Sequence, residues 1–322
     1  MERAALMGSY MKRRQQLLPI LAGLAVAFIF GLSFLFSKES LAVMAPLELL
    51  AHRFSVATLF MLVLVVFGVV KVRMDRKLFW DLLPLVLFQP IGYFIGETAG
   101  VQLTSASESG LIISLTPIGV TLLGGIMLKE KANWKQWLFV LLSVTGVILI
   151  VLAGSGLTAG IHTLGIIALL GAVTAASVYN ILARKSAARY SAVAITLVMM
   201  LSGAVFFNLA FWCSLTDKKL YFQAFTEPIA LVGLGYLGIL SSGVAFFLLN
   251  YMLARKPAAW AANFMNLTTI VSVAAGVLFR GEAFGPAHLV GGVLIFAGVW
   301  GTTTLPFAPP SPAASGGPQK IL

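Results

Sequence analysis

The chain has 322 residues, of which 59% are hydrophobic and only 10% charged, whereas soluble domains carry about 25% charged residues. That composition excludes an ordinary water-soluble domain, and the single cysteine, Cys213, excludes an internal disulfide and a cysteine metal cluster. The net charge of +11 does not indicate a nucleic-acid partner, because the basic residues sit in alternate gaps between apolar stretches, where they report topology.

A hydrocarbon core of about 30 Å is crossed by about 20 apolar residues of helix. Such stretches recur at 17–37, 46–70, 79–102, 105–128, 134–153, 163–183, 191–213, 228–252, 258–279 and 286–305, which predicts an all-α membrane protein of ten transmembrane helices. The first follows Lys12, Arg13 and Arg14, but Leu32-Ser33-Phe34-Leu35-Phe36 is too bulky for a signal-peptidase site, so it is read as a retained span. Seventeen of the 22 Lys and Arg fall on the side of the N-terminus, and four (Lys38, Lys218, Lys219 and Arg280) fall on the other; Arg53 lies within a span. The positive-inside rule then places both termini in the cytoplasm of a bacterial-type inner membrane. Residues 1–16 read as a basic cytoplasmic segment, and 306–322, rich in Pro, Ala, Gly and Ser, as a disordered cytoplasmic tail.

Ionisable groups inside a membrane are costly, about 2.5–3.5 kcal/mol at its centre, so each marks a candidate site. In the first span, Phe28, Phe30 and Phe34 form either the wall of an aromatic pocket or an ordinary lipid-facing surface. In the second, Arg53, with His52 beside it, either pairs with Glu97, which would reduce the desolvation of both charges, or snorkels to the interface. The third span places Gln89, Tyr93 and Glu97 at i, i+4 and i+8, a polar stripe on one face. Beside it Gly92, Gly96 and Gly100 make a ridge that admits a neighbouring helix. The stripe faces substrate, or Glu97 reaches headgroup water. Pro90 and Pro117 are expected bend points, since proline removes a helical hydrogen bond. Glu48 and Glu108 enter from the same side as Arg53 and are expected to join one charged group, able to bind a zwitterion or carry a proton. Further candidates are Tyr179 and Asn180, Ser241 and Ser242, and Trp260, Asn263 and Asn266. Gln89, Tyr93, Ser241 and Asn266 fall at mid-span, the depth of a transported solute, although each alone equally fits an interhelical hydrogen bond.

The chain also repeats itself. Glu130 and Gly146 recur as Glu282 and Gly298, so a single offset of 152 aligns spans 4–5 with 9–10 and overlays span 3 on span 8. Leu249 then faces Glu97, which leaves that charge without a counterpart. Spans 1 and 6 match more loosely. A unit of five helices (17–153, then 163–305) must insert its second copy upside down, the inverted-repeat architecture of many secondary transporters.

Phe30-Gly31-Leu32-Ser33-Phe34, Pro46 and His52-Arg53-Phe54, then Leu103-Thr104-Ser105-Ala106-Ser107, Leu115-Thr116-Pro117, Glu130 and Gly146, resemble EamA-type members of the drug/metabolite transporter superfamily. The resemblance covers about residues 17–305. It departs at Lys129, where Gly is usual, and at Thr268-Thr269, where Pro is usual. It implies a ten-helix bundle around a central cavity and, commonly, export of amino acids or related metabolites.

No zinc-protease, nucleophile-elbow or Walker motif is present, and there are only three histidines. An enzyme, a cofactor and direct ATP drive are therefore not expected. The expected mechanism is alternating access around a mid-bilayer cavity lined by helices 1, 3, 4, 6, 8 and 9. Glu97 serves coupling, including proton coupling, or a substrate ammonium; Arg53 is its resting partner, and Pro90 and Pro117 are hinges. The partners expected are a small molecule and the lipid bilayer, with the chain as a monomer or homodimer. Rival readings are a drug-efflux carrier or passive facilitator of the same fold, and a non-transport membrane subunit.

Overall fold

The computed structural model describes residues 2–72, 75–127, 134–153, 159–215, 218–262 and 264–304. Glu130, Asn263 and the tail 306–322 lie outside the described residues. All regular structure among the described residues is helical. The apolar helices in chain order are α1 Glu2–Ser40, α2 Pro46–Val66, α3 Arg76–Leu103, α4 Ala106–Gly124 and α5 Trp134–Ala153. They continue as α6 Ala159–Ser186, α7 Ala192–Ser214, α8 Pro228–Leu253, α9 Trp260–Arg280 and α10 Pro286–Thr304. Eight of them are long and apolar enough to cross a membrane. The other two, α5 and α10, carry shorter apolar helices over Trp137–Ile150 and Pro286–Gly301.

Local chemistry fixes the ends. Asp75, Ser105 and Ser191 each accept a hydrogen bond from an amide three residues on, at 2.7, 3.0 and 3.2 Å, and so cap α3, α4 and α7. Proline opens α2 and α8, where its missing N–H costs nothing. The second span stops at Val66 rather than residue 70, because Gly68 turns the chain at φ +70°, a left-handed conformation open to glycine.

The distribution of side chains is inside-out. Leu59, Val66, Leu278 and Trp300 are 65%, 81%, 76% and 69% exposed, while Arg53, Gln89, Glu97 and Asn250 are buried. Apolar groups face outward where the surroundings are lipid, and polar groups turn inward to find partners. The chain is a multi-pass membrane protein.

Packing follows the internal repeat. α1 lies on α9 and α4 on α6; α3 lies on α6 and α8 on α1; α2 faces α7, and α5 faces α10. The repeat carries each of the first four contacts to its counterpart, with α1 matching α6 at an offset of 146 and the other helices at 152. At the α5–α10 crossing, a Cβ on Gly146 would lie 2.5 Å from the Gly291 carbonyl oxygen, and one on Gly298 would collide with the Phe139 carbonyl. Positions 146 and 291 are the 152-offset counterparts of 298 and 139, so one contact is the image of the other. The glycine ridge of α3 also packs: Cβ atoms on Gly96 and Gly100 would run into Ala168, Leu169 and Ala172 of α6.

Among the described residues, three helices depart from regular α-helix at the cavity. In α3, Gln89 is extended (φ −148°, ψ 119°) just ahead of Pro90. α8 is distorted over Gly235–Ala245, which contains the image of the α3 break. α4 is interrupted between Ile113 and Thr116, just before Pro117.

Candidate functional site

The breaks converge on one cavity inside the bundle. The space in it open to the centre of a water-sized sphere is about 40 Å³. α1 lends Phe30, Ser33 and Phe34; α2 lends Arg53; α3 lends Gln89, Tyr93, Phe94 and Glu97; α4 lends Ile113 and Thr116. From the second half come Ala176, Tyr179 and Asn180 of α6, Ser241, Phe246 and Leu249 of α8, and Met265 and Thr268 of α9. Gln89, at the extended break in α3, lines the cavity beside Tyr93 and Glu97.

Arg53 is held rigidly. Its Nε donates to Ser242 Oγ at 2.8 Å and its Nη2 to Ser241 Oγ at 2.9 Å. The guanidinium carbon stands 4.4 Å above the Phe94 ring, a cation–π contact in a site shielded from solvent. Glu97 accepts from Thr98 Oγ1 at 3.2 Å. The two charges line one cavity, and among the described residues no Arg53–Glu97 ion pair falls within 4 Å. Hydroxyl anchors from α8 hold the guanidinium: its planar fork presents donors in fixed directions, and two adjacent serines meet two of them. Tyr179 donates to Asn250 Oδ1 at 2.8 Å, and Asn250 Nδ2 donates to Thr196 Oγ1 at 3.0 Å. Asn180 donates to the Ala176 carbonyl and leaves its buried Oδ1 without a partner. The Phe30, Phe94 and Phe246 rings pack around the wall, Phe246 lying edge-on to Phe30 at 5.1 Å and tilted against Phe94 at 5.9 Å.

The lining is nearly two-fold. Gln89 and Ser241, Phe94 and Phe246, Glu97 and Leu249, Ile113 and Met265, and Thr116 and Thr268 are each 152 positions apart. Phe30 and Ala176, Ser33 and Tyr179, and Phe34 and Asn180 are 146 apart. Only Arg53 and Tyr93 line the cavity without a lining counterpart. Both charged groups belong to the first half.

Residues 17–152 and 163–304 each match the EamA-like transporter family. The chain belongs to that family. This EamA-like protein, and with it the drug/metabolite transporter superfamily, has relatives that carry transporter names. One from Bacillus subtilis (strain 168), named the uncharacterized transporter YcxC, is 36% identical over 91% of this chain and 95% of its own. A probable terminal-alkyne amino-acid exporter of Streptantibioticus cattleyicolor is 27% identical over 60% of this chain and 63% of its own. An S-adenosylmethionine/S-adenosylhomocysteine transporter of Chlamydia muridarum is 26% identical over 40% and 41%. A chain of known crystal structure superposes with a TM-score of 0.66 at 18% identity, covering 89% of this chain and 98% of that one, which shows a shared fold. The EamA-like protein is a non-enzymatic transporter.

Of the residues singled out in the sequence, Gln89, Tyr93, Glu97, Arg53, Tyr179 and Ser241 meet at the cavity. Others do not. Phe28 is 58% exposed on the outer face of α1, half a turn from Phe30. His52 follows its own face of α2, one residue from Arg53, into a ring of Phe211, Tyr221 and Phe225, 4.8–5.8 Å between centroids. Trp260 packs edge-on to Phe264 at the start of α9. Asn266 is half-buried away from the lining, with its Oδ1 unpartnered. Pro90 and Pro117 sit at breaks in α3 and α4, outside the lining. The expected external charge group also divides: Glu48 Oε2 accepts from the Ala45 amide at the start of α2, and Glu108 turns to His162 and His288. Phe94, Phe246, Ser33, Ile113, Met265 and Thr116 went unmarked as site residues. For most of them the offset of 152, applied position by position to Gln89–Thr116, was the available signal.

Proposed function

We propose that this EamA-like protein is a secondary carrier that exports a small zwitterionic metabolite of the amino-acid kind across the inner membrane. It works by alternating access of two inverted five-helix halves, with ten spans and both termini in the cytoplasm. The observation that carries the reading is one mid-bundle cavity holding a buried guanidinium and a buried carboxylate, set among phenylalanines. Arg53, fixed by Ser241 and Ser242, offers its remaining donor edge to a carboxylate; Glu97 receives an ammonium or carries the coupling proton; Phe30, Phe94 and Phe246 cover an apolar side chain. Fixed charges opposite a zwitterion replace the hydration it loses on entering the bilayer. The near-symmetric lining supports two packings of nearly equal energy.

The amino-acid exporter among the relatives favours this class. A second reading, an S-adenosyl compound, is favoured by the aromatic wall together with the named Chlamydia transporters, because such a solute joins an amino-acid end to a planar base. Counterflow into proteoliposomes decides between them. Saturable uptake of labelled amino acid driven by trapped unlabelled amino acid is expected. Uptake of S-adenosylmethionine alone would move the assignment to the second reading, and no counterflow of either would overturn both.

A further inference from the structure

At the end of the bundle away from the termini, the first half of α4 (Ala106–Ile113) is capped by Ser105 and Thr104 of its own half and fastened by groups from the other half of the chain. Both Glu282 oxygens are engaged there: Oε1 accepts from the Ala106 amide at 2.9 Å, and Oε2 from the Ser107 amide at 2.9 Å and Ser107 Oγ at 2.6 Å. These are N-terminal amides of the helix that have no partner within it, and a carboxylate satisfies them with the helix dipole in its favour. From α9, Ser272 Oγ donates to the Ala106 carbonyl at 2.7 Å and Thr269 Oγ1 to the Gly110 carbonyl at 2.8 Å. Gly110 and Gly276 allow this approach, because a Cβ on either would strike Ser272 or Glu282. Glu108 Oε1 lies 3.0 Å from His162 Nε2 of α6 and 3.3 Å from His288 Nε2 of α10.

A turn at Ser114–Leu115 marks the segment off from the rest of α4; there the Ser114 and Thr116 hydroxyls donate to the carbonyls of Leu111 and Ile113 and Pro117 supplies no amide. Its inner end, Ile113, lines the cavity. The segment therefore forms part of the wall between the cavity and the face opposite the termini.

We propose that the first half of α4 is the outer gate of the carrier and that Glu282 is its latch. The fastening is polar, unlike the glycine-packed apolar contact of α5 with α10. Hydrogen bonds exchanged for bonds to water change the free energy little, so this seam can part when water enters and re-form when the gate closes. Lys38, which donates to the Val101, Gln102 and Thr104 carbonyls at the end of α3, flanks the seam, and Arg280, paired with Glu39, also lies with its Nε 3.8 Å from Glu282 Oε1. The proposal rests on the carrier reading for what passes through the gate.

The test reads conformation rather than transport. In a Cys213→Ser background, Ser33→Cys puts a thiol on the cavity wall, and a membrane-impermeant thiol reagent is applied to intact cells and, separately, to inside-out vesicles. Glu282→Ala is expected to speed labelling from the cell exterior about tenfold, the effect of losing one or two buried charge-assisted hydrogen bonds. Thr269→Val, which frees the same segment at its other end, should shift it in the same direction. Glu39→Gln should change it less than about twofold, because it removes a partly exposed partner of Arg280 and leaves the Arg280–Glu282 contact and the Glu282 hydrogen bonds in place. Monodisperse elution and native helicity are required of each variant. Unchanged labelling in folded Glu282→Ala and Thr269→Val, or an equal rise from both faces, overturns the latch. Unchanged labelling with counterflow intact overturns the latch alone. The expected labelling without movement of any solute overturns the carrier reading and leaves the latch.

Discussion

Ser143 Oγ donates to the carbonyl oxygen of Ile295 at 3.3 Å, and the two residues are 152 positions apart. A residue thus bonds its own counterpart in the second half, which places the α5–α10 crossing on the approximate two-fold axis of the fold. Close approach there depends on glycine: a Cβ on Gly298 would collide with Ser143 Oγ and the Phe139 carbonyl. Gly298→Ala is therefore expected to destabilise by about 1–3 kcal/mol, the usual cost of overpacking. Gly171→Ala, with nothing within 4 Å of the added methyl, should not lower the melting temperature. Thermal unfolding of both variants in one detergent makes the comparison.

Arg53→Lys keeps the charge and loses the fork that engages Ser241 and Ser242 together. Counterflow is expected to fall about tenfold or more through a raised KM, with the melting temperature little changed. A wild-type KM would remove Arg53 from the substrate's carboxylate.

Glu97→Gln tests coupling separately from binding. If Glu97 carries the proton, uptake driven by an imposed pH gradient disappears while exchange of solute for solute persists. Loss of both would assign Glu97 to the substrate's ammonium instead.

Tyr179→Phe removes the donor to the Asn250 Oδ1, which is buried with its amide nitrogen committed to Thr196. An acceptor stranded in a dry interior costs about 1–3 kcal/mol, and the melting temperature should drop accordingly.

His52→Phe is the contrasting case for transport. The His52 ring lies among Phe211, Tyr221 and Phe225 and its Nε2 has no partner, so a phenyl ring fits without forfeiting a hydrogen bond at that atom. Counterflow rates within about twofold of the parent are expected because His52 lies outside the cavity lining, while loss of its hydrogen bond to the Tyr221 backbone should lower the melting temperature.

The helix pattern, the glycine ridge of α3 and its stripe of Gln89, Tyr93 and Glu97 were legible because 20-residue apolar runs and a helical period of 3.6 leave their mark in one dimension. The serines that hold Arg53 were not: they lie 188 and 189 positions along the chain, and no one-dimensional period links them to it. His52 and Phe28 were misplaced for a related reason. One residue along a helix is a turn of about 100°, enough to carry a side chain from the cavity to a neighbouring cluster or to lipid. Depth in the span can be read from position, but facing depends on which neighbour the helix meets. Phe94 and Phe246 look like any other phenylalanine until the repeat offset pairs them.

That pairing limits what any motion between the two states can change. Should the halves trade conformations, each pair of counterparts is mapped onto itself with its members interchanged, and the distance between them is the same before and after. Phe94 with Phe246, Gln89 with Ser241, and Ser143 with Ile295 would then mark the stationary axle of the machine. Probes placed on such pairs would read a constant, while probes on unmatched neighbours such as Ser107 and Glu282 would record the stroke.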